Sequence, residues 1–280
     1  MAVHAFTVGR AHLPTRHVHA RRRTLPGRYV DVLTDSSRIG PVPIHCWLLD
    51  HPEGPIVVDV GETTAVFEPD GVDLGARLLV DREGFDLEPA DELAAQLPGV
   101  GIDPADVSTV ILTHLHFDHA GAVESFPNAE VLVSRREYYA HRLLPLGSSI
   151  HRWPADVSPT LLTYDDGPYG PFPASHRVTE TGDVVVVPTP GHTPGHQSVV
   201  VNDGDSLLLL AGDASFTEGQ LLADEAVGIS IDARRSRRTM ARIRRLCERE
   251  RVVYLPTHDP KAPVRLESRT PTVVDGSSRP

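Results

Sequence analysis

The sequence feature that most constrains how this chain folds is a cluster of histidine and aspartate residues directly after a short apolar run. Apolar residues occupy positions 110–112, and the pattern His-x-His-x-Asp-His follows at positions 114–119. Imidazole nitrogens and carboxylate oxygens are the ligands that borderline metals such as Zn²⁺ bind. A strand that ends in a turn directs successive side chains toward one point, so the spacing favours a metal site over a histidine-rich surface loop. The candidate ligands are His114, His116, Asp118 and His119.

Three further candidate ligands follow later in the chain, each at or just beyond the end of a short apolar run. His192 lies in Pro-Gly-His-Thr-Pro-Gly-His, Asp213 ends Leu-Leu-Leu-Leu-Ala-Gly-Asp, and His258 ends Val-Val-Tyr-Leu-Pro-Thr-His. Glycine or proline marks each place as a turn. Strands that end at one edge of a sheet would bring all of these side chains together.

These motifs resemble those of the metallo-β-lactamase superfamily, and the resemblance extends from about Pro43 to His258. It implies an α/β fold, the four-layer αβ/βα sandwich, with two metal ions at one sheet edge. We therefore expect two Zn²⁺ per chain, with other divalent metals as alternatives. Class B β-lactamases usually have a cysteine at the bridging position, and a carboxylate there is similar to the hydrolase branches. The implied ligands are three for each metal and one carboxylate that bridges them: His114, His116 and His192; Asp118, His119 and His258; and Asp213.

Two more residues are expected to support the ligands without binding metal. Asp59 ends an apolar strand before a glycine turn, where the superfamily commonly has an aspartate that orients a metal-binding histidine. An ordinary strand-end cap is the alternative for Asp59. His196 follows His192 closely, and because the resemblance assigns the ligand role to His192, His196 is interpreted as a supporting neighbour.

Length and composition predict one large domain. The chain has 280 residues, and its 40% apolar content is ample for a core. We predict a single domain over residues 1–265, with an irregular, solvated arm at 1–25 and a flexible tail at 266–280. Tyr29–Leu33 is interpreted as a strand, and a helix is expected from Ile231 onward. The histidines of the arm lack ligand spacing and are interpreted as surface residues: His4, His12, His17 and His19.

Charge and hydropathy exclude several classes of partner. The net charge of −11 disfavours a nucleic-acid groove, and therefore the tRNA-processing nucleases of the superfamily. The first twenty residues contain no apolar signal core, and no stretch has the length of a membrane span, so we expect no membrane contact and a cytoplasmic location. Cys46 and Cys247 are interpreted as reduced core residues.

Residues 138–176 form a segment of a different kind, which holds six of the fifteen aromatic residues together with many prolines and glycines. An irregular aromatic segment beside a metal site suits a substrate wall or lid. We expect Tyr138, Tyr139 and Trp153 to contact a substrate. The alternatives are that the segment fills the sandwich or forms a homodimer contact.

The implied chemistry is hydrolysis of an ester-like bond. Two cations held close together lower the pKa of a shared water, so that hydroxide forms near neutral pH and attacks from its bridging position. Asp118 is the expected catalytic residue, because it could pass a proton to the leaving group; metal ligation alone is the alternative.

Residues 43–54 and the ligand combination resemble the N-acyl homoserine lactonases, which are quorum-quenching enzymes. The expected substrate is then a small lactone with an acyl portion. Many of these lactonases have a tyrosine three residues after the bridging aspartate, where this chain has Phe216, which offers no hydrogen bond. Either Ser215 or a metal would assist the substrate carbonyl, or the substrate differs.

Other functions share these ligands. A thioesterase of the glyoxalase II type or another small-molecule esterase is the main alternative, although the short tail after His258 leaves no room for the helical domain that glyoxalase II usually adds. An iron-dependent persulfide dioxygenase would use one metal and three ligands. A catalytically inactive metal-binding protein would be expected to lack a ligand, and none is missing.

Overall fold

The computed structural model describes residues 1–22, 24–68, 72, 74–143, 148–155 and 157–274. Its strands form a seven-stranded sheet in the order β4-β1-β2-β3-β5-β6-β7 and a five-stranded sheet in the order β12-β11-β10-β9-β8. The strands are β1 (Ala2–Pro14), β2 (Arg38–Asp50), β3 (Ile56–Val58), β4 (Phe85–Asp86), β5 (Thr109–Ile111), β6 (Glu130–Ser134), β7 (Thr160–Leu162), β8 (His176–Arg177), β9 (Val184–Pro188), β10 (Gln197–Asn202), β11 (Leu207–Gly212) and β12 (Val252–Pro256).

Helices connect these strands. The longest begins after Asp232, whose side chain accepts a hydrogen bond from the backbone of Arg235, so the helix expected from Ile231 onward is confirmed. The α-helices are α1 (Thr15–Val18), α2 (Leu25–Thr34), α3 (Leu74–Glu83), α4 (Leu93–Gln96), α5 (Phe117–Ala120), α6 (Arg135–Leu143), α7 (Glu218–Leu222), α8 (Ala233–Cys247) and α9 (Ala262–Ser268). Short 3₁₀ helices cover Thr64–Phe67, Leu97–Val100, Pro104–Asp106 and Val123–Ser125.

The strands are apolar on both faces because each sheet is covered on both sides. In β9, Val184 and Val186 pack into the core between the two sheets, whereas Val185 and Val187 pack against α8. Successive strand residues point to opposite faces, so a continuous valine run fills two layers of the core. On the other sheet, Ile111 faces the same central core. The αβ/βα arrangement of four layers is therefore confirmed.

The ends of four strands lie where the candidate ligands begin. The strands β9 and β11 are both antiparallel to β10, and β12 is parallel to β11, so the C-terminal ends of all three share one edge of their sheet. In the other sheet, β5 runs parallel to β3 and β6. The antiparallel pairing of β2 with β3 confirms the hairpin expected from the turn at residues 51–54.

The prediction of an irregular N-terminal arm is wrong. Residues 2–14 form β1, which pairs antiparallel with β2 over nearly its full length, from Ala2 opposite Asp50 to Pro14 opposite Arg38. Every second residue of part of β1 is buried, but interspersed histidine and arginine hide the alternation in the sequence. Tyr29–Leu33 was also misassigned as a strand: it belongs to the helix α2, which has a proline in its first turn.

The tail and the aromatic segment are more integrated than expected. Leu266 in α9 is buried, and the backbone N–H of Thr272 donates to the carbonyl of Val252. Residues 275–280 lie outside the described residues. Within 138–176, β7 joins the edge of the seven-stranded sheet and Phe172 packs into the core beside α8. At least part of this segment therefore fills the sandwich.

Both cysteines are free thiols, with Cys46 buried in β2 and Cys247 at the end of α8. Among the described residues, no helix combines the length and the apolar character that crossing a membrane requires.

Candidate metal centre

Strand ends and one short helix deliver the candidate ligands to a single point. The loop after β5 carries the first pair of histidines, α5 carries the next aspartate and histidine, and the turns after β9, β11 and β12 carry the rest. The residues that converge are His114, His116, Asp118, His119, His192, Asp213 and His258. Most of them are buried, and Asp118 retains 16% of its side-chain exposure.

The carboxylate of Asp213 lies between two groups of imidazoles. Its Oδ2 is 3.3 Å from Nε2 of His192 and 3.8 Å from Nε2 of His114. Its Oδ1 is 3.4 Å from Nε2 of His119 and 3.4 Å from Nε2 of His258. One carboxylate oxygen therefore faces each group, which is the arrangement that a bridging ligand needs.

Each group is completed by one more side chain. In the first group, Nδ1 of His116 is 3.0 Å from Nε2 of His114 and 3.1 Å from Nε2 of His192. In the second, Oδ2 of Asp118 is 3.4 Å from Nε2 of His258 and 3.7 Å from Nε2 of His119. The nitrogens and oxygens of both groups point inward.

These donors fit a pair of metal ions. Ligands bound to Zn²⁺ at about 2.0–2.1 Å in a tetrahedron lie about 3.3 Å from one another, close to most separations in the two groups. Nε2 of His119 and Oδ1 of Asp213 are buried without a hydrogen-bond partner. A buried polar atom without a partner is costly, and a cation within the second group would satisfy both atoms.

The protonation states of the histidines suit metal binding. Burial lowers the pKa of His114 and of His116 well below the usual value, and neighbouring histidines lower it further. Both rings are therefore neutral and have a free lone pair. Burial also lowers the pKa of His119, but the carboxylates around it, first that of Asp213, raise it above its usual value. A cation would compete with a proton at that ring, as metal ions do at ligands that must be deprotonated.

Two contacts fix which nitrogen of each ring faces the cluster. Nδ1 of His119 donates to Oδ2 of Asp59 at 2.8 Å, and Nδ1 of His258 donates to the carbonyl of Pro43 at 2.9 Å. In the neutral form of each ring, Nε2 is then the acceptor that faces the cluster. Asp59 also accepts hydrogen bonds from the backbone and hydroxyl of Thr113, each at 2.8 Å. Asp59 therefore lies in direct contact with His119, one of the candidate ligands.

His196 holds the backbone of the bridging residue. Its Nε2 accepts the backbone N–H of Asp213 at 2.9 Å, and its Nδ1 is 2.9 Å from the hydroxyl of Thr189. Since Nε2 accepts, Nδ1 carries the proton and donates to Thr189. His196 therefore contacts the site through Asp213.

Glu137 organises the centre, although nothing in its local sequence predicts this role. Its carboxylate, fully buried, accepts hydrogen bonds from the hydroxyl of Thr193 at 2.8 Å and the backbone of Gly195 at 2.8 Å. It also accepts the backbone N–H of Leu115 at 3.3 Å and pairs with His141 at 2.9 Å. Glu137 thus joins α6 to the loops that carry His114, His116 and His192. In the sequence it looks like an ordinary exposed helix residue.

A cavity of about 40 Å³ adjoins the cluster. Only some of the residues that were predicted to contact substrate line it. Phe216 lines it, with its ring 4.5 Å from that of His258. Ser215 is buried and hydrogen-bonds the Thr217 carbonyl and the Tyr254 hydroxyl, each at 2.8 Å, so it does not take the role of the lactonase tyrosine.

The aromatic residues predicted to contact substrate lie elsewhere. Tyr138, Tyr139 and Trp153 are not among the described residues that line this cavity. Trp153 donates from its indole nitrogen to the carbonyl of Ala120 at 2.8 Å, and Tyr139 is half exposed. Tyr138 packs against the helix-covered core of the seven-stranded sheet. Their positions in the sequence suggested that they would lie beside the metal centre, but the packing of the chain places them away from its cavity.

Replacing Gly212 by alanine is expected to disturb the bridging carboxylate. Gly212 has a φ of +54°, and an added Cβ would lie 2.8 Å from Nε2 of His196 and from the side chain of Thr113. Strain and displacement together should cost about 2–4 kcal/mol of unfolding free energy. Urea unfolding measures this cost. The control is Gly101→Ala, which also has positive φ but has open space around it. Equal losses in the two variants would show that contacts with His196 and Thr113 are unimportant.

Comparison with known proteins places this centre in a family. Residues 39–258 match the metallo-beta-lactamase superfamily. N-acyl homoserine lactonase AiiA of Bacillus thuringiensis subsp. kurstaki is 31% identical over 228 residues, covering 78% of this chain and 82% of that protein. N-acyl homoserine lactonase AttM of Azorhizobium caulinodans is 31% identical over 242 residues, covering 79% of this chain and 83% of that protein.

A solved structure is similar over nearly the whole chain. It is an N-acyl homoserine lactone hydrolase with the product N-hexanoyl-L-homoserine bound at the catalytic metal centre. The TM-score is 0.72 at 25% identity, covering 92% of this chain and 93% of that chain. With the family match, the shared fold and two sets of ligand atoms around one carboxylate, this chain belongs to the metallo-β-lactamase superfamily.

Proposed function

We propose that this protein is a metal-dependent hydrolase that opens the lactone ring of N-acyl homoserine lactones. The observation that carries the proposal is the Asp213 carboxylate, whose two oxygens each face a separate group of histidines. Relatives that are 31% identical are named N-acyl homoserine lactonases, and the similar solved structure holds the ring-opened product of such a lactone.

We assign two Zn²⁺ ions to the centre. The first would be held by His114, His116 and His192, the second by Asp118, His119 and His258, and both by Asp213. When bound, the two ions supply a water of lowered pKa and polarise the carbonyl of the ester. The two complete groups favour this assignment over a centre with a single iron and three ligands.

Asp118 is the proposed proton carrier. It lines the cavity and, at 16% side-chain exposure, is more accessible than Asp213 at 4%. Opening of the lactone ring leaves an alkoxide that must gain a proton. Asp118 could accept the proton that the attacking water gives up, hold it at a carboxylate oxygen and deliver it to that leaving oxygen. Phe216 presents an apolar ring to the cavity and excludes water from one side of the ester.

Removal of metal is expected to abolish turnover. A chelator should eliminate hydrolysis of N-hexanoyl-homoserine lactone, and added Zn²⁺ should restore it, because the water and the carbonyl are both activated by the ions. Metal content measured on the same samples should rise and fall with activity. A His116→Ala variant, which lacks one of the proposed ligands, is the control for a damaged metal site. Hydrolysis that persists after the metal has been removed would contradict the proposal.

The same assay with other substrates decides the substrate class. Acyl homoserine lactones of several chain lengths should be turned over faster than a glutathione thioester or a β-lactam. A preference for the thioester would instead support a glyoxalase II type of activity. A protein that binds two metals but hydrolyses none of these compounds would fit a metal-binding protein without catalysis. A cytoplasmic location and a homodimer stay predictions.

A further inference from the structure

The cavity beside the metal centre has a second polar face, which the proposed mechanism does not use. It consists of His17, Tyr29 and Glu83, which we name the polar wall. These residues come from three N-terminal elements: α1, α2 and α3 respectively. The prediction that His17 is a surface residue is wrong, because only 6% of it is exposed.

The polar wall contains an unpaired buried nitrogen. Nδ1 of His17 has no hydrogen-bond partner. The nearby carboxylate oxygen of Glu83 is 3.8 Å away, which is too long for a hydrogen bond. Leaving a buried polar atom unpaired is energetically costly. A polar group of a ligand in the cavity could satisfy this nitrogen.

Burial disfavours the charged forms of the groups in the polar wall. It lowers the pKa of His17 to about 4 and, together with the carboxylates of Asp118 and Asp213, raises the pKa of Glu83 to about 8. Burial, and then the nearby Glu83, raise the pKa of Tyr29. The wall therefore offers an imidazole, a phenol and a carboxyl group whose burial favours their neutral forms, and such hydrogen-bonding groups suit an amide better than an ion.

Phe216 joins the polar wall to the metal centre. The His17 ring stacks on the Phe216 ring at a centroid distance of 6.0 Å. The same Phe216 ring is 4.5 Å from that of His258 and 6.1 Å from that of His192. A small substrate with its ester at the metal ligands would therefore reach the polar wall within a few bonds.

We propose that the polar wall of His17, Tyr29 and Glu83 recognises the amide group of the substrate, and so selects lactones that carry an amide beside the ring. The amide N–H and carbonyl have the donor and acceptor that the wall can pair. The wall also supplies a phenol, from Tyr29, in a cavity where position 216 has no hydroxyl. This inference rests on the proposed lactonase function.

The test compares two lactones in matched variants. N-hexanoyl-homoserine lactone carries the amide, and γ-decanolactone lacks it. Glu83→Leu should lower kcat/KM for the first about 10- to 100-fold, mainly through KM, the effect of losing one or two buried hydrogen bonds. Activity on γ-decanolactone should change about 2-fold or less, because that substrate makes no such bonds.

Conservative variants separate recognition from folding. Glu83→Gln retains the shape and both hydrogen-bonding roles of a neutral carboxyl, so it should restore most of the selectivity. His17→Phe should lose selectivity in the same direction as Glu83→Leu. Asp81→Leu, at an exposed position on the same helix, is the control and should behave like the wild type. Metal content and melting temperature are measured on every sample.

The outcomes distinguish this inference from the lactonase proposal. Equal losses on both lactones, or no loss in Glu83→Leu, would overturn the role of the polar wall while leaving the lactonase function standing. If the wild type hydrolyses neither lactone, the lactonase proposal falls. In that case, the affinity of the metal-loaded protein for N-hexanoyl-L-homoserine, measured by calorimetry, decides whether the polar wall recognises the amide. Weaker binding in Glu83→Leu than in Glu83→Gln supports it, and equal or undetectable binding in both overturns it.

Discussion

Replacing Asp213 by alanine is expected to lower kcat/KM for an N-acyl homoserine lactone by about 10³-fold or more, since the two ions that we propose it bridges would supply several kcal/mol of transition-state stabilisation. Both oxygens of Asp213 face histidines, so the variant should also lose metal from both groups rather than from one. Steady-state kinetics and metal analysis of the same preparation measure the two effects.

The matched control for this experiment is Asp205→Ala. Asp205 is exposed in the turn before β11, the strand that delivers Asp213, so its loss should leave activity and metal content unchanged. If Asp213→Ala retained its zinc and its turnover, the assignment of a bridging role to this carboxylate would be wrong.

Replacing Glu137 by glutamine is expected to destabilise the fold by about 2–4 kcal/mol, because hydrogen bonds to a buried charged group are strong and an unsatisfied donor is costly. The new amide would place N–H groups opposite the N–H of Gly195 or of Leu115, which now donate to the carboxylate. Urea unfolding at pH 7 measures the loss. Glu124→Gln, at an exposed position, is the control.

The effect of Glu137→Gln should shrink in acid. Burial raises the pKa of Glu137, but His141, Thr193 and Gly195 together hold it below its ordinary value of 4.5. A carboxyl whose pKa is lower in the folded state contributes stability above the pKa of the unfolded chain, and this contribution is lost as the pH falls through the folded pKa. The difference between wild type and variant should therefore be smaller below pH 4.5 than at pH 7. A constant difference would show that the charge of Glu137 is not what matters.

Some parts of the centre could be predicted from the sequence because the information is local. Metal ligands belong to a few residue types, and the segment from His114 to His119 holds four candidate ligands within six positions. Each later candidate ligand follows an apolar run, and the structure does bring those strand ends together. The helix after Asp232 was equally readable, since its cap and its apolar stripe lie within one segment.

Other parts depended on partners far away in the chain. Residues 2–14 form a strand because residues 38–50 pair with them, and no short window shows that pairing. Glu137 is buried because loops 22 and more residues away donate hydrogen bonds to it. His17 and Glu83 meet at 3.8 Å only after three N-terminal helices pack beside the metal centre.

The sequence by itself determined the candidate ligands of the centre, because ligand types, glycine turns and apolar runs act over a few residues. The layered fold followed from the resemblance of these motifs to the metallo-β-lactamase superfamily. Only the tertiary structure decided which side chains line the cavity. Burial and the pairing of polar groups depend on distances between segments that are remote in the chain. For that reason Tyr138, Tyr139 and Trp153 were expected at the cavity, whereas His17, Tyr29 and Glu83 are the residues that line it.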